Sequence, residues 1–289
     1  MKTILIPVDF SDHASPTYKF AIKIAGTKTS TELVFLHSYN DQIMIPDSAM
    51  SSEFNSDSYM NMQLIEEFKK LAENNMKKLS NEVKEYLKTK SLNNFSIKTI
   101  VEGGDPDWEI RSVCDEIKPS LIVMGTQGNG KKGVLEGSMA KKIMNKAMIP
   151  VLAVPVGTNE YESFNIMYAS NKSEKDFNKI KLLYKLFENI PTSIFAVHFQ
   201  LTDKSSDDIQ HINDLKEAFA DEMNKGKFHF SLVNTNDKYN ALEAFVEHNK
   251  INSIAFIAHK TNIFKSLFKH EITKNDFFKL GLPMIALHE

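Results

Sequence analysis

Five short apolar segments of this chain occur twice, in the same order. "FNIMYASNKS" (164–173) lies over "KTILIPVDFS" (2–11), and "SIFAVHF" (193–199) over "ELVFLHS" (32–38). "FHFSLVN" (228–234) lies over "FSIKTIV" (95–101), "INSIAFIAHKTN" (251–262) over "KPSLIVMGTQGN" (118–129), and "LPMIALHE" (282–289) over "IPVLAVPV" (149–156). A pattern that restarts in this way marks a duplicated supersecondary unit, so both copies must satisfy one architecture. His37 corresponds to His198, and further on Met124 corresponds to Ile257. The spacing shrinks between these two points, because the second copy lacks much of residues 40–62 and of the helical stretch behind them. The polar stretch "GTNEYES" (157–163) joins the copies, which predicts domains at 1–157 and 164–289.

Within the first copy, apolar runs alternate with amphipathic stretches. The spacing predicts strands at 2–9, 31–39, 95–103, 120–125 and 149–156, and helices at 11–26, 64–90, 106–118 and 138–147. In the long helix, Leu64, Phe68, Leu71, Met76, Leu79, Val83 and Leu87 recur at helical spacing. Residues 40–62, rich in Asn, Asp, Ser and Met without a clear period, read as a long loop. Continuous apolar strands alternating with helices imply parallel sheets covered on both faces. The predicted fold is α/β: two tandem, doubly wound, mostly parallel five-stranded units.

The net charge is −2 and Arg111 is the only arginine, which argues against a nucleic-acid partner. Cys114 is the only cysteine, which excludes an intrachain disulfide and a thiolate zinc cluster. No apolar run approaches the roughly 18 residues that span a bilayer, and the N-terminal run is too short for a signal segment. A cytoplasmic protein without a membrane partner is expected.

Of the chain's 11 glycines, Gly125, Gly128, Gly130, Gly133 and Gly137 fall within "VMGTQGNGKKGVLEGSMAKKI" (123–143). Parallel α/β sheets bind ligands beyond the carboxyl ends of their strands, where the strand order reverses. Pro7-Val8-Asp9, His37-Ser38 and Met124-Gly125 would all end there. Glycines allow close backbone approach, and successive N–H groups form an anion nest. Gly137-Ser138 then opens a helix whose free N–H groups and positive dipole end face the same crevice. That chemistry holds a phosphate chain. Plain surface loops can also be rich in glycine, and composition alone does not separate the two readings. Neither a P-loop nor the dinucleotide fingerprint fits the spacing.

The chain resembles the universal stress protein family in its tandem, two-domain form. The resemblance rests on "ILIPVDFSD", "LVFLHSY", "GGDPDWEI", "LIVMGTQGNG", "GSMAKKI" and "IPVLAVP". The family's nucleotide signature is Gly, two residues, Gly, nine residues, then Gly-Ser or Gly-Thr. Here Gly125 and Gly128 keep the first interval, and the second, Asn129 to Glu136, is one residue shorter. The resemblance implies an ATP site, with or without magnesium, in the first domain alone. Asp9 would meet the ribose hydroxyls or a nearby polar group, a helix cap being its plainer role, with Pro7 and Val8 on the adenine side and the Ser38 backbone at the adenine edge. Met124 would pack nearby, although for this residue alone core packing is the safer reading. Gly125, Gln127, Gly128, Gly137 and Ser138 would surround ribose and phosphates. It also implies that the last strands of the two units pair within the chain as a pseudo-dimer, and a homodimer of whole chains is compatible with this.

The second copy lacks the equipment: Asn171 replaces Asp9, Ala169 replaces Pro7, and Ala258 and Thr261 replace Gly125 and Gly128. It is expected to bind no nucleotide and to serve structure or a protein partner. His37 and His198 read as hydrogen-bonded crevice histidines, Asp105 as a helix cap rather than a metal ligand, and Cys114 as a buried thiol. Lys131, Lys132, Lys141 and Lys142 flank the loop as a solvated face or as phosphate attractors. No catalytic set and no metal set is visible, so at most slow ATP hydrolysis is expected. Three function classes are in play: an ATP-binding stress regulator acting through an unknown protein partner, a scaffold that binds no nucleotide, and a nucleotide-hydrolysing or adenylate-forming enzyme.

Overall fold

The computed structural model describes residues 2–10, 14–41, 54–126, 138–158, 161–170, 175–200, 206–235, 238–258 and 280–288. The first unit contains β1 (Lys2–Pro7), α1 (Ala14–Ala25), β2 (Thr31–Tyr39), α2 (Phe54–Thr89), β3 (Phe95–Gly103), α3 (Pro106–Ile117), β4 (Leu121–Gly125), α4 (Ser138–Lys146) and β5 (Val151–Val154). The second contains β6 (Phe164–Ala169), α5 (Asp176–Leu186), β7 (Thr192–Gln200), α6 (Ser206–Ala218), α7 (Ala220–Asn224), β8 (Phe228–Asn234), α8 (Lys238–His248), β9 (Ser253–Ala258) and β10 (Met284–His288).

The ten strands of the described residues form one sheet in the order β3-β2-β1-β4-β5-β10-β9-β6-β7-β8. Each half has the same doubly wound order read outward from the centre. Pairing is parallel within each half and antiparallel at the seam, where Met284, Ile285 and Ala286 face Ala153, Leu152 and Val151. The last strands therefore pair within the chain, and each protects the other's edge.

Alternation along the strands splits the core in two. Ile4, Ile6, Leu33, Phe35, Leu121 and Val123 pack on one face with Tyr18 of α1, Met76 of α2, Ile180 of α5 and Phe219. Leu5, Val34, Leu36, Ile122 and Met124 pack on the other with Ile110 of α3, Ile143 of α4 and Leu242 of α8. Both faces are buried, which is why the strands read as unbroken apolar runs.

One expectation is corrected. Part of the segment read as a loop, 54–62, is helical and forms the start of α2; residues 42–53 lie outside the described residues. No glycine or proline stands between Pro46 and Gly103 to stop the helix. Once the apolar face of 72–87 nucleates it, each added residue gains a hydrogen bond at little further cost. Of the stripe only Met76, Leu79, Val83 and Leu87 are buried, with Ala72 beside them, whereas Leu64, Phe68 and Leu71 are exposed.

Candidate nucleotide crevice of the first unit

The strand order reverses between β1 and β4, with connections leaving β1 towards β2 and β4 towards β5. The β1–β4 ladder covers only Ile4↔Leu121 and Leu5↔Ile122. The β1–β2 ladder continues to Pro7↔Leu36, and the β4–β5 ladder to Gly125↔Val154. The carboxyl ends of β1 and β4 thus follow their outer neighbours and part from each other. This parting is the crevice that a doubly wound sheet offers to a ligand.

The β1 side is fixed by three contacts. The Val8 N–H donates to the Leu36 carbonyl at 2.8 Å. His37 Nδ1 lies 2.8 Å from the Val8 carbonyl, which can only accept, so the imidazole carries its proton on Nδ1. Phe10 rests on the His37 ring, with centroids 4.3 Å apart, and takes φ 55°. A left-handed phenylalanine is uncommon and is held here by its contact with the histidine. Asp9 lies between these anchors and is exposed.

Pro7 and Val8 are half-buried at the strand end. The Ser38 hydroxyl donates to the Gly104 carbonyl at 2.9 Å, tying β2 to the turn after β3. Met124 is 4% exposed and packs in the core beneath the crevice. Gly125 ends β4, and the next N–H, that of Thr126, donates to the Val154 carbonyl at 3.1 Å. Ser138 is the first residue of α4. Gln127, Gly128 and Gly137, with Lys131 and Lys132, lie outside the described residues. Pro7, Val8, Asp9, Ser38, Met124 and Gly125 therefore end adjacent parallel strands on one edge. Phe10 and Thr126 belong there too; a left-handed phenylalanine leaves no trace in residue types.

Beside the crevice, α3 and α4 are joined by charge. Asp105 caps α3 by accepting from the N–H groups of Asp107 (2.9 Å) and Trp108 (3.2 Å). Asp107, 3% exposed, receives Lys146 at 2.9 Å, Lys142 at 3.1 Å and Arg111 at 3.3 Å. Burial pushes its carboxyl pKa up, but Lys146, Lys142 and Arg111 outweigh this and hold it below the usual range. Lys142 is thus committed to α3. The acidic run after Gly104 serves as a cap and a helix clamp. Burial, with Asp115 nearby, pushes the Cys114 thiol up to about 12, so it is an unreactive thiol.

The second unit treats the equivalent place differently. The β6–β9 ladder runs over four pairs, from Ile166↔Ser253 to Ala169↔Phe256 at the end of β6. Tyr168 and Ser170 donate to the two carboxylate oxygens of Asp176, at 2.7 and 2.5 Å, and Asp176 is fully buried. His198 Nδ1 lies 2.9 Å from the Ser170 carbonyl, repeating the His37 contact. Tyr168, Ser170 and Asp176 stand where the first unit has Ile6, Val8 and Ala14. This network was not foreseen from the sequence.

The family model of the universal stress proteins matches residues 1–155, more than half of the chain. The chain belongs to the universal stress protein family. Among solved structures, a universal stress protein from Archaeoglobus fulgidus DSM 4304 is similar at a TM-score of 0.64 and 16% identity, covering 99% of this chain and 96% of the other. A putative universal stress protein from Pseudomonas aeruginosa UCBPP-PA14 is similar at 0.53 and 11% identity, covering 100% of this chain and 93% of its own. At such identities the likeness concerns the fold alone, and it spans both units. No curated protein matches the chain.

Proposed function

We propose that this universal stress protein binds one adenine nucleotide, ATP with or without magnesium, in the crevice of its first unit. It would act in the cytoplasm by binding rather than by catalysis. The observation that carries the reading is the parting of β1 and β4 beyond Leu5 and Ile122, with Asp9 exposed at one lip and Gly125 ending the other. The residues fit the group: a carboxylate for ribose hydroxyls, half-buried Pro7 and Val8 for the base, and a helix N-terminus at Ser138 for phosphate. Gly128 and Gly137 would complete the cradle.

Occupancy would order the connection between Gly125 and Ser138, and with it a surface for an unidentified protein partner. Turnover is expected to be slow or nil, as for a protein that acts by binding. The second unit, zipped to its strand ends, would bind no nucleotide.

The test is calorimetry of ATP on protein stripped of nucleotide, with Gly128→Val and Asp9→Ala alongside. One site per chain, lost in both variants, supports the reading. No binding at millimolar ATP sinks it. A second reading, a scaffold acting only through protein contacts, draws on the shortened interval between Gly128 and Gly137, and it takes over in that case.

A further inference from the structure

Two side chains of the second unit reach the first unit in the same manner. Asn189 Nδ2 donates to the Ala25 carbonyl at 2.8 Å. His288 Nε2 lies 2.8 Å from the Met144 carbonyl, and an acceptor-only partner fixes the imidazole proton on Nε2. Ala25 ends α1, and Met144 lies in the last turn of α4. Carbonyls in a last turn have no intrahelical N–H partner. Each contact is therefore a C-cap supplied by the other unit.

Both caps are built into the seam. Gly26 follows α1 with φ 68°, and a Cβ there would meet Asn189 atoms at 2.4–2.6 Å, so only glycine leaves room. The antiparallel ladder of β10 on β5 carries His288 back to the end of α4. His288 is buried, and its own carbonyl accepts from Lys179 of α5. The residue corresponding to His288 in the first copy is Pro155, which offers no N–H and no side-chain donor.

The two capped helices are those that follow β1 and β4, the strands that part. Their far ends open on the crevice side. A nine-residue helix such as α4 is about 14 Å long and marginal by itself, so what holds its last turn governs where its first turn sits. We propose that the second unit sets the geometry of the first unit's crevice by capping α4 through His288 and α1 through Asn189. Its consequence for affinity rests on the nucleotide reading above. His288 and Asn189 are positioning residues that touch no ligand.

Hydrogen exchange and ATP calorimetry on the full chain test this with His288→Ala, Asn189→Ala and the donor-retaining His288→Gln. In His288→Ala, the amides of 138–147 should exchange severalfold faster without nucleotide while β1–β3 keep their protection. ATP affinity should fall severalfold, up to about tenfold for one lost hydrogen bond, and His288→Gln should recover most of both. Asn189→Ala should loosen the end of α1 in the same local way. Wild-type exchange across 138–147 in His288→Ala overturns the proposal, as does faster exchange spread evenly over the chain in both alanine variants. Unchanged affinity despite a loosened α4 overturns its link to the crevice. A wild-type chain that binds no ATP defeats the nucleotide reading instead, and the exchange arm still decides the capping.

Discussion

The two switch points of this sheet are built on one plan and finished differently. In both units a histidine on the second strand grips the carbonyl after the first strand, His37 on Val8 and His198 on Ser170. Beyond that contact they diverge. In the first unit β1 and β4 pair over two residues and then part. In the second, β6 and β9 pair over four, and a buried carboxylate joins the strand end to the following helix. The topology is the same in both units, so the difference lies in how far the strands pair and in the side chains at their ends. Ile6, Val8 and Ala14 are apolar at these positions, whereas Tyr168, Ser170 and Asp176 form a buried polar network between β6 and α5. The same positions of a duplicated unit can thus carry apolar side chains in one copy and a buried polar network in the other.

Breaking the closed version should have the largest effect. Asp176→Ala removes the acceptor that the buried Tyr168 and Ser170 hydroxyls share, at a cost of about 3 kcal/mol or more. Urea denaturation should show a clearly lowered midpoint, and the ATP stoichiometry of the chain should not rise. If Asp176→Ala were to create a second ATP site, the network rather than the missing glycines would be what closes this unit. Next in size is Gly26→Ala, which combines a left-handed backbone with a clash against Asn189. A loss of about 2 kcal/mol is expected, and Asn189→Ala in the same chain should recover the part due to the clash.

Much of this comparison could be read before any coordinates. The strands were legible because both faces of the sheet are buried, so Ile4, Leu5 and Ile6 form an unbroken apolar run. The duplication followed from matching such runs, and the seam from the family resemblance. Asp105 was legible as a cap because it precedes Pro106 at a helix entry. The start of α2 was not, since Asn, Ser and Asp at 55–58 favour turns locally, and only propagation from the packed half makes them helical. Asp176 was not legible either: in sequence it looks like an ordinary acidic residue in a first helical turn, and its two partners declare themselves only once β6 and α5 are side by side. At the site, the strand-end residues Pro7 to Asp9, Ser38, Met124 and Gly125 follow from topology. Gln127, Gly128 and Gly137 depend on the loop, which lies outside the described residues.

The seam between the two switch points should respond to acid. Burial lowers the His288 pKa; the Met144 and Ile149 carbonyls draw it up, Lys179 pushes it down, and the net result lies below the ordinary 6.5. As pH falls, the unfolded chain therefore takes up this proton before the folded chain does. The contribution of neutral His288 is complete above about pH 6.5 and is lost as pH falls towards the lower folded value. Urea midpoints of wild type and His288→Gln, compared between pH 7.5 and 5, should differ by about 1 kcal/mol or less in their pH dependence, with wild type the steeper. Parallel profiles would remove His288 as the acid-sensitive part of the seam.

The smallest effect concerns the rim of the open unit. Glu109 is 7% exposed at the start of α3, with its carboxylate against Gly104, the residue whose carbonyl takes the Ser38 hydroxyl. Burial raises its pKa, and the negative charges of Glu102 and Asp41 raise it further. A raised carboxyl pKa means that the folded chain binds the proton more readily than the unfolded one. Stability from this group is then greatest below its unfolded value of 4.5 and declines as pH rises through the folded value. At neutral pH the charged carboxylate opposes folding, so Glu109→Gln should stabilise the chain by about 0.5 kcal/mol. The gain should vanish at pH 4, where the native acid is already protonated. A stabilisation equal at both pH values would instead point to packing, leaving the open unit no less relaxed than the closed one.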